Sequence, residues 1–236
     1  MTVISITITS DPVCPWCYIG YRRLTKAINL YQKTYPGGSQ DEVHITWRPY
    51  FLDRDAPMES IPYIDRMTQK LGADKVLASQ AHLQRLGKPD GIQFRFGGRI
   101  GNTMRAHQVI LLCERYDAER GRTAYTDALT TAVVEGLFRV HFEEEGDLTD
   151  VGTLARIVED ASAGSLDAGR VRGWLEGGEA VEEIERMAER ARREEGVKGG
   201  GVTLSGAQDV GEFLEALIAF KDKEGGHRSG GDEGCR

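Results

Sequence analysis

No run of apolar residues in this chain is long enough to span a bilayer; Val109 to Cys113 has the length of a buried helix segment. Excess positive charge is missing as well. Thirty Lys and Arg against 37 Asp and Glu leave a net charge of −7, the wrong sign for a general grip on nucleic acid. Cysteine is scarce, four in all and unevenly spaced, which excludes the disulfide framework of a small secreted fold. Proline stops early: all seven lie at or before position 89. The N-terminus has no basic stretch before an apolar core, and Ser and Thr interrupt its isoleucines. A secretory signal is therefore not expected, and a cytoplasmic, reducing location is. A close cysteine pair in such a compartment is expected to cycle rather than to staple.

What the chain does have is concentrated at its start. Residues 4–9 read Ile-Ser-Ile-Thr-Ile-Thr, a period-two pattern that predicts a β-strand. Cys14-Pro15-Trp16-Cys17 follows, and Leu24, Ala27, Ile28 and Tyr31 then recur at helical spacing. A helix beginning at the cysteine pair would present its free first-turn N–H groups and its dipole to Cys14. Both stabilise a thiolate, the reactive form of cysteine. Strand, Cys-x-x-Cys and helix together point to a thioredoxin-like redox site. Two other arrangements use the same spacing. Half of a zinc site would need about two further ligands, but Cys113 and Cys235 are isolated and the five histidines show no short paired spacing, so no metal site is expected. Inert core thiols are the other, and Asp11, Pro12 and Pro15 instead suggest an exposed turn.

With 236 residues, 40% apolar and 28% charged, the chain fits one large globular domain or a domain with a substantial insertion. Tyr35-Pro36-Gly37-Gly38 marks a loop, and Val43 to Leu52 predicts a second strand that Pro49 ends or confines to an edge. From Asp53 to Gly178 the pattern is helical. Helices are expected over 61–71, 73–86, 103–120, 125–142, 150–161 and 167–175, with Asn102 or Thr103 capping the third. Residues 179–195 form a charged helix with Glu182–Arg186 and Glu189–Arg193 at favourable spacing. Val202-Thr203-Leu204 predicts a very short strand and 209–223 a final amphipathic helix, before a Gly-rich tail expected to be disordered.

The segment Ser10-Asp11-Pro12-Val13-Cys14-Pro15-Trp16-Cys17-Tyr18-Ile19-Gly20 resembles the DsbA family, specifically its FrnE-like branch of intracellular disulfide oxidoreductases. Further similar stretches are Trp47 to Leu52, Asn102-Thr103 with Ala106-His107, Leu137 to Phe142, Gly146 to Asp150, and Leu204 to Gln208. The resemblance covers roughly residues 3–220. It implies an α/β thioredoxin-like fold with a large all-helical insertion: residues 1–52 and 179–223 as the discontinuous thioredoxin-like domain, 53–178 as the insertion, and 224–236 as a disordered tail. It implies thiol–disulfide exchange, with Cys14 attacking, Cys17 resolving, and Pro15 and Trp16 tuning the pair.

Other residues keep two roles each. Trp16 either shields substrate or packs on the insertion; Asn102 and His107 either line a substrate cleft or serve as helix cap and satisfied helix histidine. Cys113 reads as core. No bound cofactor is expected beyond a Cys14–Cys17 disulfide, with glutathione as a cosubstrate. The expected partners are proteins or small thiols carrying disulfides or dithiols.

The chain departs from the family in one place. Relatives carry a Gly-Val-Pro-Phe-like segment that supplies a cis-proline loop and a central strand; here Gly196-Val197-Lys198-Gly199 runs through Gly200-Gly201 into Val202. An incomplete C-terminal sheet and impaired activity are the expected consequences. The alternatives are a glutathione-dependent transferase or isomerase like the kappa-class enzymes, which carry a Ser-Pro-Tyr-Ser-like motif at this position, and a catalytically impaired binding module.

Overall fold

The computed structural model describes residues 1–194 and 202–228. Strand β1 (Val3–Ser10) leads into helix α1 (Pro15–Thr34), and the chain returns as β2 (Glu42–Pro49), parallel to β1 with Val3 opposite Glu42 and Ser10 opposite Pro49. The isoleucines of β1 alternate with exposed Ser5, Thr7 and Thr9, so one face is buried. Ile4, Val43, Leu24, Ile28 and Tyr31 form a small core there, completed by Leu217 of helix α9 (Val210–Arg228).

Between β2 and the C-terminal helices lie the two-residue pairing of β3 (Ile61–Pro62) with β4 (Arg99–Ile100) and six helices. These are α2 (Tyr63–Leu71), α3 (Ala73–Gly87), α4 (Met104–Glu119), α5 (Leu129–Phe142), α6 (Val151–Ala161) and α7 (Ala168–Glu176). Helix α8 (Val181–Glu194) lies against β2 and α4. One continuous apolar core joins α4–α7 to Tyr18, Ile19 and Tyr21 of α1. Tyr18 stacks on Phe138 at 5.0 Å and meets Phe94 edge-on, while its hydroxyl donates to Glu143 at 2.6 Å. The helix that opens at the cysteines is thereby fastened to α5.

Two buried aspartates tie α1 down. Asp90, in the 3-10 turn Lys88–Asp90 after α3, takes Arg23 and Lys26 on its two carboxylate oxygens at 2.8 Å each, and its carbonyl accepts from Arg22. Asp41, just before β2, accepts from Lys221, Tyr31 and the Thr2 backbone at 2.7 Å each.

Several boundaries differ from the expected ones. The helix predicted over 125–142 starts at Leu129, not Tyr125, because the Asp117 carboxylate takes the N–H groups of Leu129 and Thr130, while Tyr125 N–H is engaged with the Val43 carbonyl. Residues 61–62 pair with 99–100 instead of opening α2. Val202-Thr203-Leu204 is exposed and forms no strand; a strand needs a partner ladder, and none of the described residues offers it one. Helix α9 runs on to Arg228, five residues past the expected end at Lys223 (228 − 223) and into the stretch expected to be disordered. The Gly196–Gly201 stretch, residues 229–236 and Cys235 lie outside the described residues. Within the described residues the main sheet has two strands, β1 and β2. No described helix is long and apolar enough to cross a membrane.

Candidate active site

The turn Asp11–Val13 between β1 and α1 is held by its own backbone and by Asp11. Cys14 N–H donates to the Asp11 carbonyl at 2.9 Å, and the Asp11 carboxylate accepts from Val13 N–H at 3.3 Å and from Leu52 N–H at 2.7 Å. The loop before the cysteines is thus stitched to the loop after β2. Cys14 becomes the N-cap of α1 with Pro15 in the first turn, where its missing N–H costs nothing. No side-chain oxygen caps this helix. The first-turn amides are left to sulfur, and the Cys17 N–H stabilises negative charge on Cys14.

Cys14 and Cys17 are both half-buried and unbridged, and each thiol lies near enough to the other to affect its titration. The expectation was a lowered Cys14. In the reduced pair the nearness of the two thiols works in opposite directions: with burial it pushes the Cys14 thiol up, and against burial it pulls the Cys17 thiol down, helped by the Asp11 N–H and the Ser10 hydroxyl. The first proton therefore leaves the pair easily and the second is held. Ser10 Oγ is buried and has no conventional hydrogen-bond partner, but lies close enough to Cys17 to favour its thiolate.

Trp16 is 46% exposed at the rim of the site, with its ring 6.1 Å from that of His82 on α3. Pro15 is half-buried beside it. Asn102 caps α4 by accepting Met104 N–H at 2.9 Å. Thr103 turns its hydroxyl to Asp11 instead. His107 is buried one turn further on, its Nε2 3.1 Å from the Tyr50 carbonyl and its ring edge-on to Phe51; burial lowers it to about 4 and keeps it neutral. The structure thus brings Cys14, Pro15, Trp16 and Cys17 together at one helix end and puts Asn102 and His107 behind the Asp11 turn. Cys113 is fully buried. Among the described residues no group of His, Cys, Asp and Glu is disposed to hold a metal.

Two carboxyls near the site carry no cation among the described residues. Burial raises Asp11 to about 7, with the Cys17 sulfur adding to it, while its hydrogen bonds oppose. Burial likewise raises Glu114 to about 7; its Oε1 accepts Trp47 N–H at 3.0 Å. Neither emerged from sequence reasoning. Asp11 has the residue type of any turn, whereas Glu114 did leave a trace: it lies four residues after Ile110 and seven after His107, on a helix face otherwise suited to burial.

A Cys-x-x-Cys pair at the start of the helix within a β-α-β opening, followed by a helical insertion, defines the thioredoxin-like class. The chain belongs to the DSBA-like thioredoxin domain family, which matches residues 5–217. Of solved structures, a probable DsbA oxidoreductase from Streptomyces coelicolor is similar over 93% of this chain and 91% of its own, at 24% identity and a TM-score of 0.72. A candidate protein disulfide isomerase from Nitrosomonas europaea matches 93% of this chain and 98% of its own, at 14% identity and a TM-score of 0.63. The cytosolic disulfide reductase DsbM from Pseudomonas aeruginosa, also solved with GSH, shares the fold over 94% of this chain and 98% of its own; without GSH the identity is 13% and the TM-score 0.54. No curated protein matches the chain.

Proposed function

We propose that this protein is a thiol–disulfide oxidoreductase working through Cys14 and Cys17. The observation that carries this reading is the placement of both sulfurs at the uncapped first turn of α1, near enough to each other that one proton of the pair is easy to lose. Movement of the remaining proton between the sulfurs puts the charge on Cys14, at the helix end beside exposed Trp16. Cys14 thiolate attacks a substrate disulfide, forming a mixed disulfide and expelling one substrate thiolate, which takes up a proton. Cys17, deprotonated, attacks Cys14 sulfur and expels the second. The substrate gains two electrons and the protein is left with a Cys14–Cys17 disulfide.

Two equivalents of a small thiol, with glutathione as the natural type in a cytoplasmic setting, restore the dithiol. Run in reverse, the oxidised pair donates a disulfide. In this reading residues 1–52 and 179–223 carry the redox unit, 53–178 form its helical cover, and the FrnE-like branch is the chain's place within the family. Two sulfurs favour exchange over the conjugation chemistry of the kappa-class alternative, where serine cannot form the second bond.

The test is trapping. Cys17→Ser should accumulate a mixed disulfide with glutathione or a disulfide peptide at Cys14, visible by mass spectrometry, and disulfide turnover should fall at least a hundredfold, on the order of a lost catalytic group. Folded Cys17→Ser that traps nothing would leave only the binding-module reading.

A further inference from the structure

Among the described residues, strand β1 has a neighbouring strand on one side only. Glu42 N–H donates to the Thr2 carbonyl and Tyr50 N–H to the Ser10 carbonyl, so the even-numbered residues of β1 turn their backbone groups toward β2. In an extended strand the N–H and C=O of one residue point the same way, and the direction alternates along the chain. Val3, Ser5, Thr7 and Thr9 therefore direct theirs to the opposite edge, where no described residue pairs with them, and all four are exposed. Edge strands are ordinarily guarded by a lysine, a proline or a bulge. Val3–Ser10 has none of these: it is eight residues long, uncharged, and in unbroken register with β2.

The helix layer beside this edge is unfinished as well. Ile4, Ile6 and Ile8 share a face with α9, where Phe213, Leu214, Ile218 and Phe220 remain half-exposed. An occupant of the edge has to be an extended, uncharged segment with apolar residues at every second position on that face. The chain's own spare segments are poor candidates. Residues 195–201 hold four glycines and a lysine, and 229–236 three glycines and three charges, compositions that strands avoid. Val202–Leu204 is exposed and unpaired, with Ala207 and Gln208 beyond it held on α1 by Arg23. A second β1 does fit. Turned about a two-fold axis normal to the sheet, it lies antiparallel along the first with its isoleucines on the same face. Using every free group fixes the register: Val3 opposite Thr9 of the second copy, Ser5 opposite Thr7, and Ile6 facing Ile6 on the axis, with about eight new backbone hydrogen bonds. The surface closed is about 26 Å long and about 20 Å deep through strand and helix, hence roughly 500 Å² per copy and roughly 1,000 Å² in all, the lower bound for a specific dimer.

We propose that the open edge of β1 is an interface with a second copy of this chain, the two β1 strands joining antiparallel into one four-stranded sheet ordered β2-β1-β1-β2. Two strands alone are short of what a stable sheet requires, and the pairing supplies the missing ladder from the one segment whose pattern already matches. It also brings the half-exposed apolar side chains of the two α9 helices together across the axis. The Ser10 ends of the paired strands lie roughly 27 Å apart, so the two cysteine pairs open at opposite ends of the dimer.

The experiment is sedimentation velocity of the full chain with a reductant, in a Cys235→Ser background that removes tail disulfides, from about 1 to about 100 μM. The mass should rise with concentration from 26.1 kDa to twice that value. Thr7→Pro removes an outward N–H that makes no bond to β2, and with it about two of the new hydrogen bonds. Thr7→Lys sets like charges beside each other near the axis. Both should keep the far-UV circular dichroism of the parent and weaken dimerisation at least about tenfold. Hydrogen exchange of the parent supplies a readout that needs no variant: the Ser5, Thr7 and Thr9 amides should gain protection as concentration rises. A monomer at every concentration would overturn the proposal. Amides protected to the same degree in a monomer would give the edge to another segment of the same chain, and a dimer indifferent to both substitutions would place the interface elsewhere; either result overturns it.

Discussion

Asp41 and Asp11 sit at opposite ends of the same two parallel strands, both with side chains hidden from water, and they behave in opposite ways. Asp41, beside the strand starts, has Lys221, Tyr31 and the Thr2 amide on its oxygens. Burial pushes its carboxyl up, but these partners outweigh it and hold the group below the usual aspartate range. Asp11, at the end that carries the cysteines, has two backbone N–H groups and a threonine hydroxyl but no cation, and burial raises it to about 7. One end of the β-α-β unit spends a buried charge on holding the chain together. The other tolerates a costly acid next to its reactive sulfur, the usual mark of a working site.

The difference can be broken at either end. Lys221→Met should have the largest effect on stability, because it strands Asp41 as an unpaired buried charge. A loss of about 3 kcal/mol is expected in urea unfolding at pH 7, with most of it recovered at acid pH, where Asp41 is protonated. A loss at pH 7 below about 1 kcal/mol would mean that Tyr31 and Thr2 suffice without the cation.

Asp11→Asn should change a slope more than a value. A carboxyl at about 7 in the folded chain, against an ordinary 3.8 once unfolded, means that the folded chain binds the extra proton between those values. Its contribution to stability is complete below about pH 3.8 and is lost as pH rises toward 7. The variant should lack this decline, so the parent's stability relative to the variant's falls by up to roughly 1.4 kcal/mol per pH unit; raised Glu114, and buried His107 and His141, which are lowered to about 4 and act with the opposite sign, contribute to both curves alike. Parallel stability curves for parent and variant between about pH 4 and 7 would refute the assignment. The smallest effect is expected far from both ends. The Arg186–Glu182 pair on α8 is 3.5 Å apart and mostly exposed, so Arg186→Ala should shift stability by less than about 0.5 kcal/mol.

What was legible in the sequence follows the range over which each signal acts. The β1–Cys14–α1 junction is a local matter of alternation, proline and helical period, and its place in the chain could be read directly. The cap at Asn102 and the burial of Cys113 were legible for the same reason. The start of α5 was not, since Asp117, twelve residues before Leu129, decides it. Nor was the balance at the cysteine pair: spacing predicts a helix end favouring Cys14, while the nearness of the two thiols pulls Cys17 down. Asp11 and Glu114 look like a turn residue and a helix charge until the packing of α4 on β2 removes water from both. Val202–Leu204 has strand residues but no ladder to join.

The grip of α1 on Asp90 also fixes where α3 stands beside the cysteines. Helix α3 ends in the turn that Arg23 and Lys26 hold, and begins at Gly72, whose φ of 85° breaks it from α2. A rod clamped at its tail is set in register along the coil whose head bears the sulfurs. His82 stands about one and a half turns from that clamp, so the same two ion pairs that anchor the coil also decide which side chain Trp16 meets.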